Sequence, residues 1–264
     1  MARSEWPLVG FTLLLQAALG LVLAAASAPL LVADATLVVR WSLLTAVPAL
    51  AVGMLLSLGH LGSPRGAYRA IRNIGTSWLS REIATSLLFS LLTAASLVAD
   101  LTSHVSLPLL WFTALAGSAA VGAMSGVYLR TIKPAWQTFF TPLSFFATAC
   151  LVGALAFIAA EPALALNMII PTLGAELIGL WLYQRKLEAG PTAARLSWQL
   201  LTETYGRLLA ARRLLWTGGL LAIGVGLSRG WPGLLLLAVG LLLTSEVLGR
   251  VLFFAVGVPT SVGQ

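Results

Sequence analysis

The chain alternates long apolar runs with short polar interruptions. Runs of about 20 apolar residues, enough for a helix to cross the hydrocarbon of a bilayer, fall near Leu8–Ser27, Val38–Leu58, Ile83–Ala99, Leu107–Tyr128, Leu143–Ala160, Leu164–Tyr183, Leu209–Leu227 and Gly233–Phe254. This pattern predicts an all-α integral membrane protein, a bundle of eight transmembrane helices forming one domain over 1–264. No low-complexity linker divides it, and no repeat at a fixed offset suggests a repeat-built transporter. An even number of crossings returns both termini to one side. The N-terminus, with Arg3, an apolar stretch and Ala26-Ser27-Ala28, imitates a cleavable secretory signal. Its apolar run is long enough to span, so it is expected to be retained as the first helix.

The interruptions are unequal. On the side bearing the termini they are long, at 59–82, 129–142 and 184–208, and can form a surface for another protein. Assigning each basic residue to the nearer end of its span puts all of the 16 Lys and Arg on that side except Arg40 and Arg229. By the positive-inside rule that side is cytoplasmic. Composition agrees: 59% of residues are hydrophobic and only 9% charged, against roughly a quarter charged in a soluble domain. The net charge of +7 is spread over separate short loops as topology signals, so no nucleic-acid partner is expected.

Candidate chemistry is sparse. The single cysteine, Cys150, rules out disulfides and cysteine-ligated clusters built by this chain alone. A bis-histidine haem is excluded too, because His104 falls on the side opposite His60. Within "LGHLGSPRGAYRAIRNI" (58–74), Ser63-Pro64 reads as a helix start and Gly75 as a stop. Arg65, Arg69 and Arg72 recur on one face, which predicts a short amphipathic helix near 64–74 lying in the interface. His60 ends the second span and Glu82 begins the third, so the loop brings both to one depth. That pair suits quinone chemistry, in which two electrons move with two protons and each proton needs a holder near neutral pH. The bland alternatives are an ordinary interfacial histidine and a glutamate favouring a helix N-terminus after a cap at Ser80. Elsewhere, Gln16 and Glu176 stand inside spans and must face the bundle interior or a cavity. Glu246 and Arg250, spaced i, i+4, are expected to form an ion pair within their helix. Trp6, Trp136, Phe139 and Phe140 fit an interfacial aromatic belt, and Trp136 could also line a quinone entrance.

The segments "EWPLVGFTLLLQ" (5–16), "LGHLGSPRGAYRAIRNIGTSWLSREI" (58–83), "PAWQTFFTPLSFF" (134–146) and "SEVLGRVLFF" (245–254) together resemble the membrane-anchor subunit of the DMSO reductase family (DmsC-type). The resemblance spans nearly the whole chain in order. It implies an eight-helix anchor in the inner (cytoplasmic) membrane, joined to a molybdopterin catalytic subunit and a ferredoxin-like subunit with four iron–sulfur clusters. The latter would dock on the long loops. It also implies that the anchor binds quinone, menaquinone or ubiquinone, with His60 and Glu82 at the quinol site and Gln16, Ser63, Arg81 and Trp136 nearby. Substrate and direction stay open, with a cytoplasm-facing, sulfite-dehydrogenase-like complex slightly preferred to a quinol-oxidising reductase. The competing readings are a secondary transporter, motivated by the charges inside spans, and a purely structural anchor.

Overall fold

The computed structural model describes residues 5–60, 73–158 and 161–263. It is helical throughout: α1 (Trp6–Leu31), α2 (Thr36–His60), α3 (Trp78–Leu101), α4 (Leu107–Leu129), α5 (Phe140–Ala156), α6 (Pro162–Glu188), a short α7 (Thr192–Gln199), α8 (Gly206–Arg229) and α9 (Pro232–Ala255). Seven of these are long and apolar enough to cross a membrane. The exception among the expected spans is α5, whose 17 residues reach only ~25 Å at 1.5 Å per residue. Ser63 and most of the amphipathic helix expected over 64–74 lie outside the described residues.

Lipid rewards no apolar contact between helices, so these helices associate through small residues and inward polar groups. On α3 the buried positions include Ser80, Glu82, Ser86, Thr93, Ser96 and Asp100, while Leu87, Leu88, Leu91 and Val98 face outward. The stripe is stitched to its neighbours: Ser96 Oγ lies 2.9 Å from Thr113 Oγ1 on α4, and Asp100 accepts from Arg40 Nε of α2 at 3.0 Å. Arg40, one of the two basic residues set apart by the charge pattern, thus pins the end of the bundle opposite the N-terminus.

Helices α1 and α5 cross with their backbones in close approach. A Cβ at Gly20 would stand 2.1 Å from the Ala149 carbonyl oxygen, and one at Gly153 would stand 2.7 Å from the Gly20 carbonyl oxygen. No rotamer change relieves a clash with backbone. Gly20→Val is therefore expected to abolish recovery of folded, detergent-soluble chain, read as loss of the monodisperse peak in size-exclusion chromatography. Gly218→Ala, whose Cβ would meet only Leu241 Cδ1 at 3.6 Å, should leave that peak intact.

At the N-terminal end the aromatic residues close the bundle. Trp136 is buried rather than set in a surface belt, and donates its indole N–H to the Phe253 carbonyl at 2.8 Å. It stacks on Phe253 and meets Tyr128 edge-on. Phe140 is likewise buried, stacked on Tyr183, whereas Trp6 and Phe139 are exposed as a belt requires.

Candidate functional site

Helix α3 begins earlier than its apolar run suggests. Ser77, not Ser80, is the N-cap, its hydroxyl accepting from the Ser80 backbone N–H at 3.3 Å. Glu82 is consequently the fifth residue of the helix, past the first turn whose free N–H groups attract carboxylates. Being only 6% exposed, it loses the reading of a carboxylate placed for the helix dipole. What sets its position is the inward stripe.

Trp78, Glu82 and Ser86, one helical turn apart, share one side of α3. Trp78 Nε1 and Ser86 Oγ are buried and find no hydrogen-bond partner among the described residues. Buried polar groups are paired in the great majority of cases, so such a column is a place for a polar ligand or water. The Trp78 ring fits over Gly126 of α4, where a Cβ would lie 2.2 Å from Trp78 Cε3. Arg81 and Arg130 hold their guanidinium groups 4.6 and 5.1 Å from that ring. Arg81 also donates to the Ile74 and Gly75 carbonyls, both at 2.8 Å, and so fastens the segment entering α3. His60 is the last residue of α2, at the same end of the bundle.

Gln16 does not join this column. It is fully buried on α1, its Oε1 accepting from Arg250 Nη2 at 2.6 Å and its amide N–H directed at Met124 Sδ. It belongs to a second polar centre. The expected Glu246–Arg250 pair within α9 does not form; both side chains turn inward and are met by other helices. Glu246 accepts from Thr148 Oγ1 on α5 at 2.6 Å and from Trp216 Nε1 on α8 at 3.4 Å. Arg212 of α8 binds Glu176 of α6 and lies 3.7 Å from Glu246. The charge pattern groups Arg212 with the loop cations, yet it is 4% exposed. A count of charges within spans could have found it, since Glu176 and Glu246 in a bilayer need cationic partners. The two centres meet along α4: Gly126 packs against the Trp78 ring, while Tyr128, two residues on, packs on Phe253 and on the Phe145 ring that Arg250 covers at 4.0 Å.

Among the described residues no group of His, Cys, Asp and Glu is arranged to hold a metal ion. A cavity of about 410 Å³ opens between α1, α4, α5 and α6 in the opposite half of the bundle, beside Ser27, Trp111, Cys150, Asn167 and Pro171.

Residues 1–256 match the family described as the DMSO reductase anchor subunit (DmsC). The chain belongs to this family. Among curated proteins, this DmsC-family protein is 32% identical over 161 residues to YnfH, an anaerobic dimethyl sulfoxide reductase component of Escherichia coli, covering 56% of the present sequence and 55% of YnfH. It is 32% identical over 160 residues to the C component of the E. coli anaerobic dimethyl sulfoxide reductase, covering 57% and 55%. To the corresponding C component from Haemophilus influenzae it is 36% identical over 108 residues, 39% of each. The protein thus aligns over about half the length of the curated relatives it matches, or less. No solved structure matches it.

Proposed function

We propose that this DmsC-family protein is the membrane-anchor and quinone-reactive subunit of a three-subunit molybdopterin oxidoreductase. It would exchange electrons between the quinone pool, menaquinone or ubiquinone, and an iron–sulfur subunit. The observation that carries the reading is the α3 column: Glu82 buried one turn into the helix, between an indole N–H and a hydroxyl that have no partner among the described residues, at the end of the bundle where α2 terminates in His60. A quinone supplies two-electron chemistry that moves two protons. Glu82 and His60 are the two groups here suited to hold one each, while Trp78 Nε1 and Ser86 Oγ suit the ring's oxygen substituents. Arg81 fastens the segment entering α3 at this end, Trp136 packs on Tyr128, Gln16 belongs to the second polar centre, and Ser63 lies outside the described residues.

In this reading α5, prolonged by the turn at Phe157 and Ile158, makes the eighth crossing of the inner membrane, and both termini are cytoplasmic by the distribution of basic residues. A four-cluster ferredoxin-like subunit docks on the long loops and carries the molybdopterin catalytic subunit; both then lie in the cytoplasm. That placement favours a cytoplasm-facing, quinone-reducing complex of the sulfite-dehydrogenase kind over a quinol-oxidising DMSO reductase. A C-terminal reporter that behaved as periplasmic would overturn it.

The quinone site itself is tested with His60→Ala in the assembled complex. The expected outcome is loss of quinone-linked turnover with turnover against a soluble dye preserved; equal loss of both would assign His60 to assembly instead. A secondary transporter is the second reading, favoured by the four ionisable residues Glu176, Arg212, Glu246 and Arg250 buried within spans. It predicts solute uptake by the purified protein alone in sealed vesicles.

A further inference from the structure

The second polar centre holds atoms that the fold leaves unsatisfied. Glu176 Oε2, Arg212 Nε and Arg250 Nε are buried without a hydrogen-bond partner among the described residues. All three residues border one small cavity of about 20 Å³, whose other walls are Ser144, Thr148 and Glu246 together with Phe140, Gly249 and Phe253. A polar void of that size accepts one water, for which about 10–15 Å³ suffices. The chemistry of the wall also fits water better than an ion. Two N–H groups need an acceptor and one carboxylate oxygen needs a donor; a water offers two lone pairs and O–H bonds at once. A cation would face two guanidinium groups, and an anion two carboxylates.

We propose that this cluster is a hydrated proton-holding site, in which Glu176 exchanges a proton with the cavity water, and that it serves the quinone site at Glu82. The first clause stands on the cavity and its unpartnered atoms, while the second rests on the quinone reading above. Glu176 is the holder because both Glu246 oxygens are engaged, by Thr148 and by Trp216, whereas Glu176 uses only Oε1, toward Arg212. The charged groups around it are Arg212 from α8 and Glu246 and Arg250 from α9; α5 presents only the hydroxyls of Ser144 and Thr148. With both glutamates ionised the cluster is neutral, two carboxylates against two guanidinium groups. A proton on Glu176 leaves one positive charge, which an ionised Glu82 on α3 offsets. Transfer from Glu82 to Glu176 breaks one O–H bond and forms another, moves no electrons and keeps the charge of the two centres constant.

The test is infrared difference spectroscopy of the assembled complex in membranes, by pH titration and by quinol addition, in H2O and D2O. The expected result is a protonated-carboxyl band that shifts in D2O, responds to both triggers and is lost in Glu176→Gln, which keeps the Arg212 hydrogen bond and the dye-linked activity. A wild-type complex with no such band, or a Glu176→Gln complex with the same carboxyl bands as wild type, would overturn the site; a band from Glu82 is told apart by its loss in Glu82→Gln. Should Glu176→Gln fail to assemble, Ser144→Val decides: filling the cavity should displace the water and move the carboxyl C=O band, whose frequency reports its hydrogen bonding, and a band left at the wild-type frequency would overturn the hydrated site. A band that titrates with pH but ignores quinol overturns the coupling to Glu82 and leaves the proton site standing. A complex inert to quinol under every condition overturns the quinone reading alone, since the pH titration needs no quinone.

Discussion

Glu82→Gln is expected to lower quinone-linked turnover by about 100-fold or more, the usual contribution of a positioned proton-transfer group, with the complex intact and its dye-linked turnover unchanged. The expectation rests on what the substitution keeps. Glutamine matches glutamate in shape, so the packing of α3 between α2 and α4 and the Trp78 ring over Gly126 are preserved. Only the capacity to take and release a proton goes. Ser86→Ala is the companion variant: it removes from the same stripe a hydroxyl without a partner among the described residues, and should weaken quinone binding as a raised KM while leaving most of kcat. The two are separated by steady-state kinetics against quinone and dye. Turnover of Glu82→Gln at the wild-type rate would show that the α3 column takes no part in proton transfer.

Much of the fold was legible because lipid imposes a simple rule on the sequence. All eight apolar runs correspond to helices, since nothing but a helix satisfies its own backbone in hydrocarbon. The ends were less legible. Trp78, Ser80 and Arg81 read as loop, yet they form the first turn of α3, because Ser77 caps it and Arg81 folds back onto the Ile74 and Gly75 carbonyls. That misplaced boundary hid the strongest point about Glu82, which a first-turn position would have explained away.

The second polar centre was half legible. Gln16 and Glu176 stood out against their apolar runs, and inward orientation was the right inference. Their partners could not be read from spacing within a helix. Glu246 and Arg250 sit at the i, i+4 separation of a helical ion pair, but Thr148, Trp216, Arg212 and Gln16 reach them from other helices. Periodicity carried a clue that hydropathy lacks: Leu209, Arg212, Trp216, Gly219, Ile223 and Gly226 are the buried stripe of α8, which puts Arg212 inside and Arg213 outside. Gly249 makes the room, since a Cβ there would lie 2.6 Å from Arg212 Cζ.

Arg212→Leu is the substitution expected to cost the most stability. It leaves Glu176 and Glu246, 1% and 4% exposed, with Arg250 as the only cation of the cluster. Removing one partner of a buried ion pair destabilises by about 3–5 kcal/mol, because the remaining charge stays desolvated without compensation. Here two carboxylates lose a shared partner at the junction that ties the α8–α9 hairpin to α1, α5 and α6. The protein should therefore accumulate poorly, and whatever is extracted should unfold at a clearly lower temperature in a detergent melting assay. The double variant Arg212→Leu with Glu176→Leu separates charge from shape. It removes one charge of each sign, leaves Glu246 facing Arg250 across Thr148, and puts two leucines where an ion pair stood, an exchange that is often neutral or stabilising. Recovery of the melting temperature in the double variant would assign the loss to the orphaned charge. A double variant no better than Arg212→Leu would mean that the guanidinium acts through its packing over the Trp216 ring, 4.3 Å away, and not through its charge.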